Sequence, residues 1–255
     1  MKSLFYKGCL VTTLLISSLQ LQATAPEVIV QVQTESVQWL AYAESPRLTL
    51  VFSQVDDVSQ VYWPAAALFA TDRPDIEQKR QRVLLQLQRL EQHWQQKNEA
   101  AYVVSVQSLT KQMTEWRLDY RLPVVVDYDL ARILPEHNPK LDPGQYRLIL
   151  PERSDSIHII GQVPYERSVP HRGATSAKAY LDELTYVGDR DPSWVYVIQA
   201  NGQLDKVGIA YWNREHYELL PGSQLYVPMA DAMLPGEFRS LNKAIVELLV
   251  HRMLP

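Results

Sequence analysis

The sequence predicts an α+β protein of two sheet-bearing domains, with a helical hairpin inserted in the first and an amphipathic helix at the C-terminal end. Three observations predict it. Apolar residues fall in steps of three and four from Ile76 to Trp94 and again from Tyr102 to Trp116, which is the period of a helix. On both sides of that block apolar and polar residues alternate, which is the period of a strand. The polar, proline-bearing stretch Leu150-Pro151-Glu152-Arg153-Ser154 then separates a fresh set of elements from the first.

The N-terminus has the layout of a signal peptide. Lys2 and Lys7 precede an apolar or small run from Leu10 to Leu19, and Ala23-Thr24-Ala25 supplies the small residues a signal peptidase needs. The run is well short of the roughly 20 residues a membrane-spanning helix requires. Cleavage is expected after Ala25, or after Ala23 because Pro26 would hinder the first cut. The only cysteine, Cys9, lies in this segment behind Tyr6-Lys7-Gly8, which is not a lipoprotein acceptor site. A mature chain of residues 26–255 then has no thiol for a disulfide, a nucleophile or a metal. Without Lys2 and Lys7 the 25 basic residues fall to 23 against 29 acidic ones, a net charge of -6. That balance argues against nucleic acid as partner. No later stretch reaches 18 consecutive apolar residues, so no further spanning helix is expected.

The first domain is expected over 26–152. Val28, Val30 and Val32 mark one strand, and Leu48, Leu50 and Phe52, after the Glu44-Ser45-Pro46 turn, mark a second. Trp63-Pro64 and the alanines behind it suit a short helix within Val61 to Ala70. Asp72, Pro74 and Asp75 open the long stripe, and Lys97-Asn98-Glu99 breaks it before the second, so residues of about 75–116 form an antiparallel helical hairpin. Strand pattern returns at Leu122 to Tyr128 and at Tyr146 to Leu150.

The second domain is expected over 153–234. It holds a strand at Ile157 to Val163, an extended piece around Ser168 to Pro170 and a helix from Thr175 to Leu184. The strands Val195 to Gln199 and Leu204 to Trp212 flank Asn201-Gly202, a pair that tolerates positive φ in a tight hairpin. Gln224 to Val227 follows the Pro221-Gly222 turn. Strands on both sides of one helix in about 75 residues are the content of a β-grasp (ubiquitin-like) domain. In 235–255, Pro235-Gly236 precedes a helix from Glu237 to Met253. Phe238, Leu241, Ala244, Ile245, Leu248 and Leu249 line one face, and Arg239, Ser240, Lys243, Glu247 and His251 line the other.

The C-terminal third carries several spaced motifs. In order they are Ile209-Ala210-Tyr211-Trp212-Asn213-Arg214-Glu215-His216, Pro221-Gly222-Ser223-Gln224-Leu225-Tyr226-Val227, Leu234-Pro235, Leu241-Asn242, Ile245-Val246 and Arg252. In these the chain resembles the GfcC/YjbG family of capsule and exopolysaccharide proteins, while residues 26–150 match that family in layout more than in wording. The resemblance implies a soluble periplasmic protein of a Gram-negative bacterium with two β-grasp domains, the first carrying the helical insertion. It also implies a place beside the outer-membrane polysaccharide export machinery, and it brings no enzymatic activity or cofactor. The family's prominent arginine after the helical hairpin falls on Arg121 in Asp119-Tyr120-Arg121-Leu122-Pro123, or on the nearby Arg117.

Motifs of catalysis are missing. There is no GxSxG, no GxxxxGK[ST] and no HExxH, and the six histidines have no paired spacing for a metal. Asp127/Asp129, Asp155 and Asp189/Asp191 offer carboxylates that could cleave a glycosidic bond if opposed, with 127 and 129 on one strand face; otherwise they are turn and edge acids. His158 reads as the solvent-facing residue of an alternating strand. Arg121 beside Tyr120 and Tyr128 can offer a planar donor fork to an acidic sugar, or else pair with Asp119 or Glu115. Trp94 and Trp116 lie on the helix stripes and are expected in the core. The C-terminal helix is expected to dock on the protein's own sheet, with a partner or peripheral contact with the outer membrane as the other readings.

The function expected is a non-catalytic periplasmic factor for assembly or export of polysaccharide, binding glycan or export proteins. Its alternatives are a polysaccharide-modifying enzyme built on the paired carboxylates and a membrane-associating accessory subunit of the export channel.

Overall fold

The computed structural model describes residues 25–254. The expected signal segment, up to Thr24, lies outside the described residues. The first domain opens with β1 (Val28–Gln33) and β2 (Val37–Tyr42), an antiparallel hairpin in which Val28, Val30 and Val32 point into the core. The segment expected as a second strand is instead the helix α1 (Leu48–Phe52). It buries Leu48, Val51 and Phe52, spaced by three and four, and turns Leu50 outward. The helix expected within Val61 to Ala70 shrinks to one 3-10 turn, Trp63–Ala65, followed by the buried strand β3 (Ala67–Ala70).

The helical hairpin is present as α2 (Asp75–Gln96) and α3 (Ala100–Thr114). Asp75 and Glu77 in the first turn of α2 complement the helix dipole. The chain returns through two short strands, β4 (Arg117–Leu118) and β5 (Tyr120–Arg121). The strand expected over Leu122 to Tyr128 stops almost at once. Leu122 N–H still donates to Leu68 O, but Pro123 has no N–H to extend the ladder. Asp127 then caps α4 (Tyr128–Ile133), its carboxylate accepting from Leu130 N at 2.9 Å. β6 (Gly144–Ile149) completes the sheet as its central strand, parallel to β1 and antiparallel to β3.

The second domain comprises β7 (Ser156–Gly161), β8 (Arg167–Pro170), α5 (Ala177–Leu181), β9 (Trp194–Ile198), β10 (Leu204–Gly208) and β11 (Gln224–Val227). α5 is shorter than the helix expected from Thr175 to Leu184. The two five-stranded sheets run β2-β1-β6-β3-β5 and β8-β7-β11-β9-β10. Counted within its own domain, each has the strand order 2-1-5-3-4, with the first and last strands parallel at the centre.

A 3-10 turn, Gly236–Phe238, leads into α6 (Leu241–Leu249). The helix is shorter than the one expected to reach Met253, because Arg252–Met253 leave it to form β12, antiparallel to β4. Five of the nine residues of α6 are buried: Leu241, Ile245, Val246, Leu248 and Leu249. At roughly 1.5–3 kcal/mol per buried side chain, that packing holds a helix too short to persist alone. Among the described residues no helix is long and apolar enough to cross a membrane.

Three apolar clusters result. One lies between the first sheet and α1 and α4, and another between the second sheet and α5. The third joins the stripes of α2 and α3 to α6 and to Ile160, Ile198 and Tyr226 on the other face of the second sheet. Trp94 and Trp116 belong to it. The insertion of the first domain thus covers the sheet of the second. Strand β11 is buried at all four positions because it is covered on both sides.

Polar bolts cross the same layer. Gln112 of α3 accepts from Gly161 N at 3.0 Å and donates to Gly161 O at 3.1 Å, while Ser105 bonds Gln162. Gly161 has φ +104°, and a Cβ there would lie 2.1 Å from Val227 O, so only glycine fits. Asn242 of α6 accepts from Tyr226 Oη and Met229 N and donates to Met229 O.

Candidate functional site

Where the two sheets meet, a cavity of about 270 Å³ opens. Its first-domain wall includes Phe69 and Ala67 of β3, Ile149 of β6 and Arg121 of β5. Its second-domain wall includes His158, Gln199, Gln224 and the Ala200 and Gly222 turns, and Arg252 and Met253 of β12 close one side.

Arg121 is brought here by the β3–β5 pairing, which sets it opposite Phe69. Its guanidinium carbon lies 5.8 Å from the Phe69 ring centroid, and Nη2 donates to Ala200 O at 2.9 Å. The side chain therefore both lines the cavity and bridges the domains. The Asn201-Gly202 turn expected between β9 and β10 accommodates it. Gly202 has φ +88°, and a Cβ there would sit 2.8 Å from Arg121 Nε. Burial lowers the Arg121 guanidinium from its ordinary value to about 10, which leaves it charged at neutral pH.

The ion pairs weighed for Arg121 do not form. Asp119 pairs instead with Arg147 at 2.6 Å, and no carboxylate among the described residues lies within 4.0 Å of Arg121. Arg117 is exposed on β4 and lies outside the cavity lining. Tyr128 is likewise elsewhere, packed on Phe52 and Trp63 in the first core. Tyr120, the other tyrosine read beside Arg121, stacks on His251 at 5.2 Å.

The rest of the lining was not legible as a site. Arg252 Nη2 donates to both carboxylate oxygens of Glu166, at 2.6 and 2.7 Å, and its Nη1 donates to Gln224 Oε1 at 3.3 Å. His158 is not solvent-facing. Its side chain is only 12% exposed, and Nδ1 lies 3.4 Å from Glu166, which in turn pairs with Arg252 of β12. Burial pushes the Glu166 carboxyl up, but the His158 and Arg252 hydrogen bonds outweigh it and hold the group below the usual carboxylate range. Arg252 Nε is buried with no hydrogen-bond partner among the described residues.

His251, just before β12, ties the cavity wall to β5. Its Nδ1 accepts from Arg121 N at 3.1 Å and its carbonyl accepts from Asp119 N at 3.2 Å. Burial lowers its pKa to about 4, with the positive charges of Lys79 and Arg121 adding and Asp75 opposing. The ring is neutral at pH 7, as an accepting Nδ1 requires.

The carboxylate pairs of the sequence lie apart from this cavity. Asp127 and Asp129 do not share a strand face; they are the cap and first turn of α4. Asp189 accepts from Tyr102 Oη at 2.6 Å, and Asp191 accepts from Ser193 N and Trp194 N. Of the carboxylates, Glu152 lines the cavity. Among the described residues no cluster of metal-ligating side chains occurs.

Two adjoining sequence families match the chain on either side of this cavity. The model described as capsule biosynthesis GfcC, N-terminal, matches residues 25–153, and that described as capsule biosynthesis GfcC C-terminal matches residues 165–254. The chain is also 26% identical over 148 residues to the uncharacterized protein YjbG of Escherichia coli (strain K12). That alignment takes in 58% of this chain and 60% of the relative's length. With both halves matched, in order and over nearly all the described residues, the chain belongs to the GfcC family of capsule biosynthesis proteins.

Proposed function

We propose that the protein is a non-catalytic periplasmic factor in the assembly or export of capsular or extracellular polysaccharide, and that the cavity between its sheets holds an acidic group of the glycan or of an export protein. Family membership supports the pathway. One observation carries the role of the cavity: Arg121 lies half-buried in its wall, and no carboxylate among the described residues, Glu152 of the same lining included, lies within 4.0 Å of it. A buried charge without a partner is costly, and an anion entering the cavity relieves that cost. Arg121 offers its remaining N–H groups to such an anion, while Arg252 on the facing side is already balanced by Glu166.

The shared strand order 2-1-5-3-4 supports reading both domains as β-grasp folds. The docked α6 presents Lys243 and Glu247 to water and buries its apolar residues. That arrangement favours association with proteins or glycan over insertion of this helix in lipid.

The test replaces the chromosomal gene by an Arg121→Met allele and by a deletion, and measures surface polysaccharide and cytoplasmic sugar precursors. Both strains should lose surface polymer while precursors stay normal. Normal polymer in the deletion strain overturns the pathway, and normal polymer with Arg121→Met alone overturns the role of the cavity.

A further inference from the structure

The loop after β10 holds two large aromatic side chains in water. Tyr211 is 95% exposed and Trp212 71% exposed, and neither belongs to an apolar cluster. The loop is nevertheless fixed. Asn213 Oδ1 accepts from Ala210 N at 2.9 Å, its Nδ2 donates to Ser193 O at 3.0 Å, and Glu215 Oε1 accepts from Gly208 N at 2.9 Å. A Cβ at Gly208 would fall 2.0 Å from Asn213 O, so the loop lies directly on the strand backbone. Aromatics displayed on a clamped loop are prepared for a ligand, since little backbone ordering is left to lose on binding.

The neighbours define the ligand's chemistry. Trp212 stands edge-on to Trp194, with centroids 6.2 Å apart at 83°. Lys206 Nζ lies 4.6 Å from the Trp194 centroid and forms no ion pair among the described residues. The nearby acids are engaged elsewhere, Glu215 with Gly208 N and Asp205 with Tyr217 Oη at 2.6 Å. The surface therefore offers flat apolar faces beside an ammonium that forms no direct ion pair among the described residues. Two side chains are far less than the roughly 800 Å² per partner of a stable protein interface. A single sugar ring matches the size of an indole, lays its C–H face on the aromatic face and keeps its hydroxyls in water.

We propose that the Tyr211-Trp212 loop is a saccharide-stacking platform, separate from the cavity, on which a ring of an acidic polysaccharide lies with its carboxylate toward Lys206. The polysaccharide reading above supplies the polymer class on which this rests. The geometry of the loop alone supplies the site.

The probe is a set of oligosaccharides made by partial hydrolysis of the producing strain's own surface polysaccharide, with dextran oligosaccharides as the neutral control. They are titrated into the full protein, following the Trp212 indole N–H by NMR and the affinity by calorimetry. Tyr211→Ala/Trp212→Ala should weaken binding by about tenfold or more at an unchanged thermal midpoint. Lys206→Gln should weaken it by roughly two- to fivefold at low salt and remove the salt dependence. Undiminished affinity in the double aromatic variant, or no binding to the wild type, overturns the platform. Binding lost only in Arg121→Met rejects the platform and keeps the cavity. No binding together with normal polymer in the deletion strain rejects both.

Discussion

Acid should loosen the join between the C-terminal strand and β5 through one side chain, His251. An unfolded histidine titrates near pH 6.5, whereas the folded ring does so at about 4. Between those values the unfolded chain binds more protons than the native one, so stability falls as the pH falls. The contribution of His251 is complete above pH 6.5 and is lost progressively toward pH 4. The gap between 6.5 and about 4, at 1.36 kcal/mol per factor of ten in proton affinity, sets a ceiling of about 3 kcal/mol, and the partial exposure of the ring reduces it to roughly 1–2 kcal/mol. Protonation also abolishes the acceptor that Arg121 N uses at 3.1 Å. The assay is urea unfolding at several pH values between 7 and 4.5, on the wild type and on His251→Asn, whose amide oxygen can take over the acceptor role without titrating. The carboxylates titrate in both proteins and cancel in the difference. The wild type should lose roughly 1–2 kcal/mol more than the variant over that range. Parallel curves for the two proteins would refute the reasoning.

Two further perturbations probe the packing and the charge network. Ile245→Ala removes a side chain with no solvent exposure from the centre of the α6 contact; urea unfolding should show a loss of about 2–5 kcal/mol, against less than about 0.5 kcal/mol for the exposed Lys243→Ala. Glu166→Gln leaves the 7%-exposed Arg252 side chain without a counter-charge, and should cost about 1–3 kcal/mol, since Glu166 itself is partly solvated. An unchanged denaturation midpoint would show that Arg252 finds another partner.

The long elements were legible in the sequence because they repeat their period many times. Ile76, Val83, Leu87, Leu90 and Trp94 fix α2 beyond doubt of period, and all are buried. Five residues cannot do this. Leu48, Leu50 and Phe52 fit a period of two, Leu48, Val51 and Phe52 fit a period of 3.6, and the burial of Val51 rather than Leu50 decides for the helix. Val124, Val125 and Val126 favour a strand by branching alone. Pro123 before them and the cap signal of Asp127 behind them were the local signs that prevail.

The site was legible only at Arg121, and even there not in its surroundings. Its partner Ala200 is 79 residues away, and its backbone partner His251 is 130 away. No local pattern reports such neighbours. His158 was misread for a related reason: alternation says which side of a strand a residue occupies, not whether another element covers that side. Arg252, a charged residue just beyond an apolar helix, was the sequence sign of the ion pair that closes the cavity.

The antiparallel ribbon of β12 with β4 has a temporal meaning. Arg252 and Met253 pair with Leu118 and Arg117, and they form one wall of the cavity. A chain made from its N-terminus can fold its first sheet early, but it cannot build this pocket until residue 253 has emerged. Closing that loop, from Leu118 to Arg252, carries an entropic cost similar to that of the β1–β6 pair, which joins Val28 to Gly144. The cavity wall made by Arg252 and Met253 is thus tied to the pairing of the chain's last strand with β4.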